Sequence, residues 1–174
     1  MKRFITIITA AFAISAFGYL PPKDIDIQIN YSEKNIKINS LALSGSTTIA
    51  SIQEVLGTYD RIKVEEGFSN YFFDEAGIMV IVNEEKTQLH GIMIQLYNNN
   101  GEFSTEEDFK GKLTVNEKKI NPLKGMGAME RLISDINPRN TRDYKLTGAI
   151  DAFKVDYLYK PGGRLLMIYV NFAE

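Results

Sequence analysis

The sequence predicts an α+β protein: two tandem β-β-α-β-β units with antiparallel sheets and short helices packed on one face. Three observations predict this fold class. Several short segments alternate apolar and polar residues, which is typical of half-buried strands. Two other segments space their apolar residues three and four apart, as an amphipathic helix does. The order strand, strand, helix, strand, strand occurs twice along the chain, which indicates an internal duplication.

Residues 1–18 have the layout of a secretory signal peptide. Lys2 and Arg3 precede an uncharged apolar run, and Ala16 and Gly18 are small residues that suit cleavage after position 18. The run is short for a membrane span, and two prolines follow it closely. We therefore expect a periplasmic or secreted protein with no stable membrane span after cleavage. A retained N-terminal anchor is the alternative interpretation of these residues.

The composition narrows the classes of function. The formal net charge of the 174 residues is −2, and no run rich in lysine and arginine occurs, so nucleic-acid binding is not expected. The chain contains no cysteine, which excludes disulfides, cysteine-ligated metals, cysteine nucleophiles and a lipid-modified cysteine. The core alone must therefore hold an exported protein of this size together.

The first predicted unit spans residues 19–100. It begins with a hairpin at 24–39 whose buried face carries only isoleucines: Ile25, Ile27, Ile29, Ile36 and Ile38. A short helix follows, with a cap at the pair Thr47–Thr48 and a stop at Gly57. The hairpin "NYFFDEAGIMVIV" at 70–82 and the strand "QLHGIMIQL" complete this unit.

The second predicted unit spans residues 101–174 and repeats the order. It has a hairpin at 110–123, a helix at 127–136 that ends before Pro138, and a long hairpin at 151–172. The turn "KPGG" in this last hairpin predicts a type II turn, because proline and glycine fall at its two central positions. The polar segment from Asn98 to Asp108 is the predicted seam between the units, which we expect to pack as one compact body.

The order of elements also carries a resemblance to known families. A helix ending in "EVLG", followed by "NYFFDEAGIMVIV" and "LHGIMIQL", resembles small envelope proteins of the BamE (SmpA/OmlA) type. The doubled order resembles the tandem β-lactamase-inhibitor-protein fold, in which two such units lie side by side. BamE-type proteins are typically single units with a lipidated cysteine, whereas this chain is doubled and has none. The resemblance therefore implies an inhibitor-like arrangement.

No group of residues predicts catalysis or a metal site. His90 is the only histidine and no G-x-S-x-G motif is present, so the histidine is interpreted as a strand residue without catalytic duty. Acidic pairs such as Asp74 and Glu75 lie at predicted turns, where we expect solvated carboxylates. We therefore expect no enzyme activity, no metal and no cofactor. A third hypothesis, an unrecognised hydrolase, would need two carboxylates about 5–10 Å apart across a cleft.

The two long hairpins carry more apolar residues than one buried face needs. Their surplus mixes aromatic, aliphatic and methionine side chains, a composition suited to an adaptable interface. We predict that this surplus binds a partner, through Phe72, Met79, Ile81, Leu158, Leu165, Met167 and Tyr169. The alternative is that both faces are core, with the N-terminal hairpin or the other unit lying over the second face.

The leading hypothesis is thus an exported, non-enzymatic protein-binding module. Its partner would be another protein, such as a toxin or a hydrolase acting in the envelope, and its role that of an inhibitor or an immunity-type protein. The alternatives are a carrier of a small apolar or lipid-like ligand, held between the two sheets, and an envelope assembly factor.

Overall fold

The computed structural model describes residues 24–85, 87–98, 101, 103–134, 139–141 and 144–172. The predicted signal peptide and the end of the second predicted helix lie outside these residues. Among the described residues, no helix is long and apolar enough to cross a membrane.

This part of the chain contains thirteen short strands and two short helices. In order they are β1 (Asp26–Asn30), β2 (Asn35–Ile38), β3 (Leu41–Ala42), α1 (Ile49–Leu56), β4 (Arg61–Glu65), β5 (Phe68–Phe73), β6 (Ile78–Asn83), β7 (Gln88–Gln95), β8 (Lys112–Val115), β9 (Lys118–Lys119), α2 (Met126–Leu132), β10 (Arg139–Thr141), β11 (Lys145–Ile150), β12 (Phe153–Tyr159) and β13 (Leu165–Phe172). The predicted α+β class is therefore confirmed.

The strands form two sheets. The small sheet has the order β3-β2-β1-β8-β9, and the large sheet has the order β10-β11-β12-β13-β7-β6-β5-β4. Neighbours in the large sheet are antiparallel, whereas β1 and β8 run parallel at the centre of the small sheet. Strands from both halves of the chain enter both sheets, a sharing that the strand pattern did not predict. The internal duplication stays a prediction.

One hydrophobic core joins the two sheets. The isoleucines predicted to share a buried face are each 1% exposed: Ile25, Ile27, Ile29, Ile36 and Ile38. They belong to the same cluster as Val80, Val155 and Ile168 of the large sheet. The hydroxyls of Tyr31 and Tyr157 lie 3.0 Å apart inside this core. Burial is the main cause that raises the pKa of both tyrosines above the ordinary value.

Both helices add residues to this core. Helix α1 begins at its cap, Thr48, whose hydroxyl accepts a hydrogen bond from the Ser51 N–H, and it ends at Gly57 with a positive φ of 88°. Its buried residues are Ile52 and Leu56, four apart, as the spacing predicts. Helix α2 begins after Gly125 and has no side-chain cap.

The first long hairpin pairs as its "DEAG" turn predicts. The cross-strand partners are Phe73 with Ile78, Phe72 with Met79, Tyr71 with Val80, and Asn70 with Ile81. Successive side chains alternate between two faces, so Val80 and Val82 enter the core while Phe72 and Met79 point away from it. The two faces of this hairpin are those that the sequence predicts.

The second long hairpin departs from its predicted register. The type II turn is present, with Gly162 at a φ of 96° and the Gly163 N–H donating to the Lys160 carbonyl. However, Tyr159 pairs with Leu165 and Leu158 pairs with Met167, so Leu166 is an extra residue in a bulge. The prediction that Leu165 shares a face with Met167 is therefore wrong: Leu165 is 1% exposed and lies in the core.

Candidate interaction face of the large sheet

The large sheet has two faces, of which only one meets the small sheet. We call the face that carries Val80 and Ile168 the inner face and the opposite one the outer face. A single cross-strand row runs over the outer face through seven strands: Thr147, Asp156, Tyr169, Met93, Met79, Phe72 and Arg61. The apolar members of this row lie together at its middle, and both of its ends are polar.

The outer face of β5, β6 and β7 is a second, smaller core, which we call the covered half. It consists of Phe72, Met79, Ile81 and Met93, each less than a tenth exposed. Phe68 and Phe103 pack against this cluster from its margins. The three predicted partner-binding residues in this half are therefore already in contact with their own chain.

The cover comes from residues 103–109, which we call the covering segment: Phe103 packs against the cluster, while Phe109 at the other end of the segment enters the main core. The backbone of the segment is held by Gln95, a fully buried residue at the end of β7. The Gln95 amide donates to the Thr105 and Glu107 carbonyls at 3.1 and 3.2 Å, and its oxygen accepts from the Thr105 N–H at 3.0 Å. Buried amides need such partners, so these bonds fix the segment on the sheet.

An ion pair closes the edge of the covered half. Arg61 donates to both carboxylate oxygens of Asp74, at 2.7 and 3.0 Å, and to the Ser104 carbonyl at 2.8 Å. Its guanidinium carbon also lies 3.7 Å from the centre of the Phe72 ring. Asp74 accepts a further bond from the Glu106 N–H at 3.0 Å. The side chains of Arg61 and Asp74 thus join β4, the hairpin turn and the covering segment.

The expectation that Asp74 is a solvated turn residue is wrong, because it is 4% exposed. Its neighbour Glu75 is exposed, as expected. The difference follows from the nearby charge: Arg61 lies thirteen residues earlier in sequence but beside Asp74 in space. The pairing of β4 with β5, in which Arg61 is opposite Phe72, creates this contact. No local sequence signal distinguishes the two carboxylates.

The outer face of β11, β12 and β13 is different, and we call it the open half. Leu158, Met167 and Tyr169 lie there half-buried. Met167 and Tyr169 also pack against the cluster of the covered half, whereas Leu158 belongs to neither hydrophobic cluster. Leu158 and Met167 are direct cross-strand partners. Their exposed surface is therefore contiguous.

A charged group adjoins these apolar residues. Asp156 is 6% exposed and accepts a hydrogen bond of 2.6 Å from the Thr147 hydroxyl. Lys145 and Lys154 each place an ammonium nitrogen within 3.5 Å of its carboxylate. Burial and the nearby charge of Asp156 raise the pKa of Tyr169. The open half is thus an apolar strip beside two lysines that share one carboxylate.

Of the seven residues predicted to bind a partner, the structure leaves three at the surface. These are Leu158, Met167 and Tyr169, all in the open half. Phe72, Met79 and Ile81 lie under the covering segment, and Leu165 lies in the main core. The sequence interpretation missed Arg61 and Gln95, which hold the cover, because their partners are far away along the chain.

The buried carboxylates do not converge in a catalytic pair. Asp74 follows β5 and Asp156 lies on β12, with three strands between them. Four strand spacings separate them by roughly 19 Å, well beyond the distance that glycoside hydrolysis uses. His90 is half-buried, and the centre of its ring lies 4.7 Å from the centre of the Phe68 ring. Among the described residues, no three metal-ligating side chains come together.

Comparison with known proteins assigns the chain to a family. Residues 28–125 match a family described as a domain of unknown function, DUF7738, and since this is more than half of the chain, the protein belongs to that family. The matched region starts in β1 and ends just before α2, so it contains the whole covered half. No curated protein and no solved structure matches the chain.

Proposed function

We propose that this DUF7738 protein is an exported, non-enzymatic binding module that captures another protein through its open half. The observation that carries the proposal is the contiguous, half-buried strip of Leu158, Met167 and Tyr169 on a sheet face that is otherwise polar or covered. Rigid strands hold these side chains, which favours a preformed binding surface. The layout of the first 18 residues supports export to the periplasm or beyond.

The charges around the strip indicate the chemistry of the partner. Two lysines, Lys145 and Lys154, flank the strip and share the buried carboxylate of Asp156, so cations lie at the margin of the strip. The partner surface that fits is an apolar protrusion with carboxylates at its rim. An envelope-acting enzyme with such a protrusion near its substrate cleft would be blocked by this contact, which is the inhibitor or immunity-type role.

The test compares two doubly substituted proteins. Leu158→Asp with Met167→Asp places two charges in the strip, while Ile62→Asp with Val64→Asp places two charges on β4, where the original residues are 44% and 62% exposed. A protein captured from an envelope extract is identified, purified and titrated against each variant by calorimetry. We expect the strip variant to lose at least about 1.4 kcal/mol of binding free energy, a tenfold weaker affinity, and the β4 variant to bind as the unsubstituted protein does.

Two outcomes would contradict the proposal. Equal affinity of the strip variant and the unsubstituted protein would remove the open half as the binding surface. Loss of binding only in the β4 variant would indicate that the partner adds to the edge of the sheet instead. Circular dichroism and thermal unfolding establish that both variants are folded.

A further inference from the structure

A cavity of about 320 Å³ lies on the other side of the large sheet, between β9, the loop that follows it and α2. Its floor consists of Met129, Tyr159 and Leu165, each no more than 5% exposed. The loop is fixed to the large sheet, because the Leu165 N–H donates to the Pro122 carbonyl at 3.0 Å. The volume falls at the low end of small-molecule sites, which span roughly 300–1,000 Å³.

The mouth of this cavity is strongly basic. Four exposed cations line it, Lys118, Lys119, Lys124 and Arg131, and no acidic residue does. In the described part of the chain none of the four makes an ion pair. The cluster of cations contrasts with the chain as a whole, in which acidic residues outnumber basic ones and the formal net charge is −2. Four cations around one cavity, with no ion pair among the described residues, favour an anion at its mouth.

The hydroxyl of Tyr159 supplies a further polar group. The residue lines the cavity and is 5% exposed, and its hydroxyl, which makes no hydrogen bond among the described residues, is accessible to solvent. Burial raises its pKa to about 12, so at neutral pH the hydroxyl keeps its proton and can donate it in a hydrogen bond.

We propose that this cavity binds an amphiphilic organic anion, with its apolar body on Met129 and Leu165 and its carboxylate or phosphate among the four cations. An inorganic anion would gain no affinity from the apolar floor and would bind too weakly to detect, and the basic mouth would discriminate against a neutral body of the same shape. This site is independent of the proposed partner capture, because its residues lie on the inner-face side and the open half lies on the outer face.

Binding is tested with four probes on the purified protein by calorimetry, below the micellar concentration of each. We expect octanoate and octyl phosphate to bind, octanol to bind at least about tenfold more weakly, and inorganic phosphate not to bind. Whichever of the two anionic amphiphiles binds more tightly identifies the head group. Absence of binding by both, or octanol binding as tightly as they do, overturns the proposal.

Two variants localise the site. Ala128→Phe adds a ring to the half-buried wall of the cavity on α2, and we expect it to abolish binding of both anionic amphiphiles. A second variant replaces all four cations with glutamine, at Lys118, Lys119, Lys124 and Arg131. We expect each exposed cation to contribute about threefold to the affinity, so this variant should bind more than tenfold more weakly. Lys37→Gln on β2 is the matched control and should leave affinity unchanged. Full affinity in folded Ala128→Phe would place the ligand elsewhere and overturn the proposal.

Discussion

The two halves of the outer face have the same pleat and share a cross-strand row, yet one is buried and the other is partly exposed. In the covered half, Phe72 is fully buried beneath Arg61. In the open half, Asp156 occupies the same row between Thr147 and Tyr169. The difference comes from the covering segment, which lies over one half only. A strand pattern therefore determines which residues share a face, while a distant segment determines whether that face is buried.

Removing an apolar side chain from each half should show the largest contrast. We expect Phe72→Ala to lower the free energy of unfolding by about 3–5 kcal/mol, because it leaves a cavity under the covering segment. Leu158→Ala should lower it by less than about 1 kcal/mol, because the side chain is partly exposed and lies outside both hydrophobic clusters. Urea unfolding followed by circular dichroism measures both values. Similar losses for the two variants would mean that the halves are equally buried.

Removing one negative charge from each half should give a smaller contrast. We expect Asp74→Asn to lower the free energy of unfolding by about 2 kcal/mol, because the side chain is buried and Arg61 loses a bidentate partner. The loss is limited because Arg61 itself is partly exposed to solvent. Asp156→Asn should lower the free energy of unfolding by about 1 kcal/mol, because the ammonium groups of Lys145 and Lys154 can be solvated instead.

Hydrogen exchange separates the local effect of these two changes. In Asp74→Asn the Thr105, Glu106 and Phe109 amides should exchange faster, since the covering segment loses one of its attachments. In Asp156→Asn the same amides should exchange as before. Unchanged exchange in Asp74→Asn would show that the Asp74 carboxylate does not hold the segment.

Alkaline titration gives the smallest expected effect. Burial and Asp156 raise the pKa of Tyr169 above the ordinary value of 10.0, and Asp156→Asn should lower it. The folded pKa exceeds the unfolded one, so the stabilisation from neutral Tyr169 is complete below pH 10 and is lost as the pH rises above it. Tyrosinate absorbance, with Tyr169→Phe to identify the residue, measures the shift. An unchanged pKa in Asp156→Asn would indicate that the carboxylate does not act on Tyr169.

Tyr157 should behave differently from Tyr169 in the same titration. It lies in the main core against Tyr31, and its pKa is raised well above the ordinary value. We expect it to ionise only together with unfolding, whereas Tyr169 in the open half should ionise reversibly in the folded protein. Reversible ionisation of both tyrosines would remove this contrast between core and open half.

The sequence predicted the local structure well where one turn controls it. The "DEAG" turn determines the register of β5 and β6, so the faces of Phe72 and Val80 followed from alternation alone. The "KPGG" turn was also predicted, but the bulge at Leu166 beyond it was not, and Leu165 was assigned to the wrong face as a result. A bulge depends on how β13 fits between two neighbours, which a single hairpin sequence does not encode.

Long-range features could not be predicted in this way. The sequence predicted that the polar segment from Asn98 to Asp108 is the seam between two units, yet part of this segment covers the outer face. Its attachment depends on Gln95, at the end of β7, and Asp74, in a turn, and no neighbouring residue in the sequence marks either as a binding partner of the segment. The cations at the cavity mouth are dispersed from Lys118 to Arg131, and only the approach of α2 to the large sheet brings them together.

The parallel pair of β1 and β8 has a consequence for how the chain reaches this structure. Lys112 and Asp26, opposite each other in that pair, are 86 residues apart in sequence. The small sheet cannot be completed until just over two thirds of the chain is available, and such non-local pairing slows folding towards milliseconds to seconds. Until then β1 has an unpaired edge that can recruit other strands. A translation or export intermediate that stops before β8 should therefore depend on a chaperone to stay unaggregated.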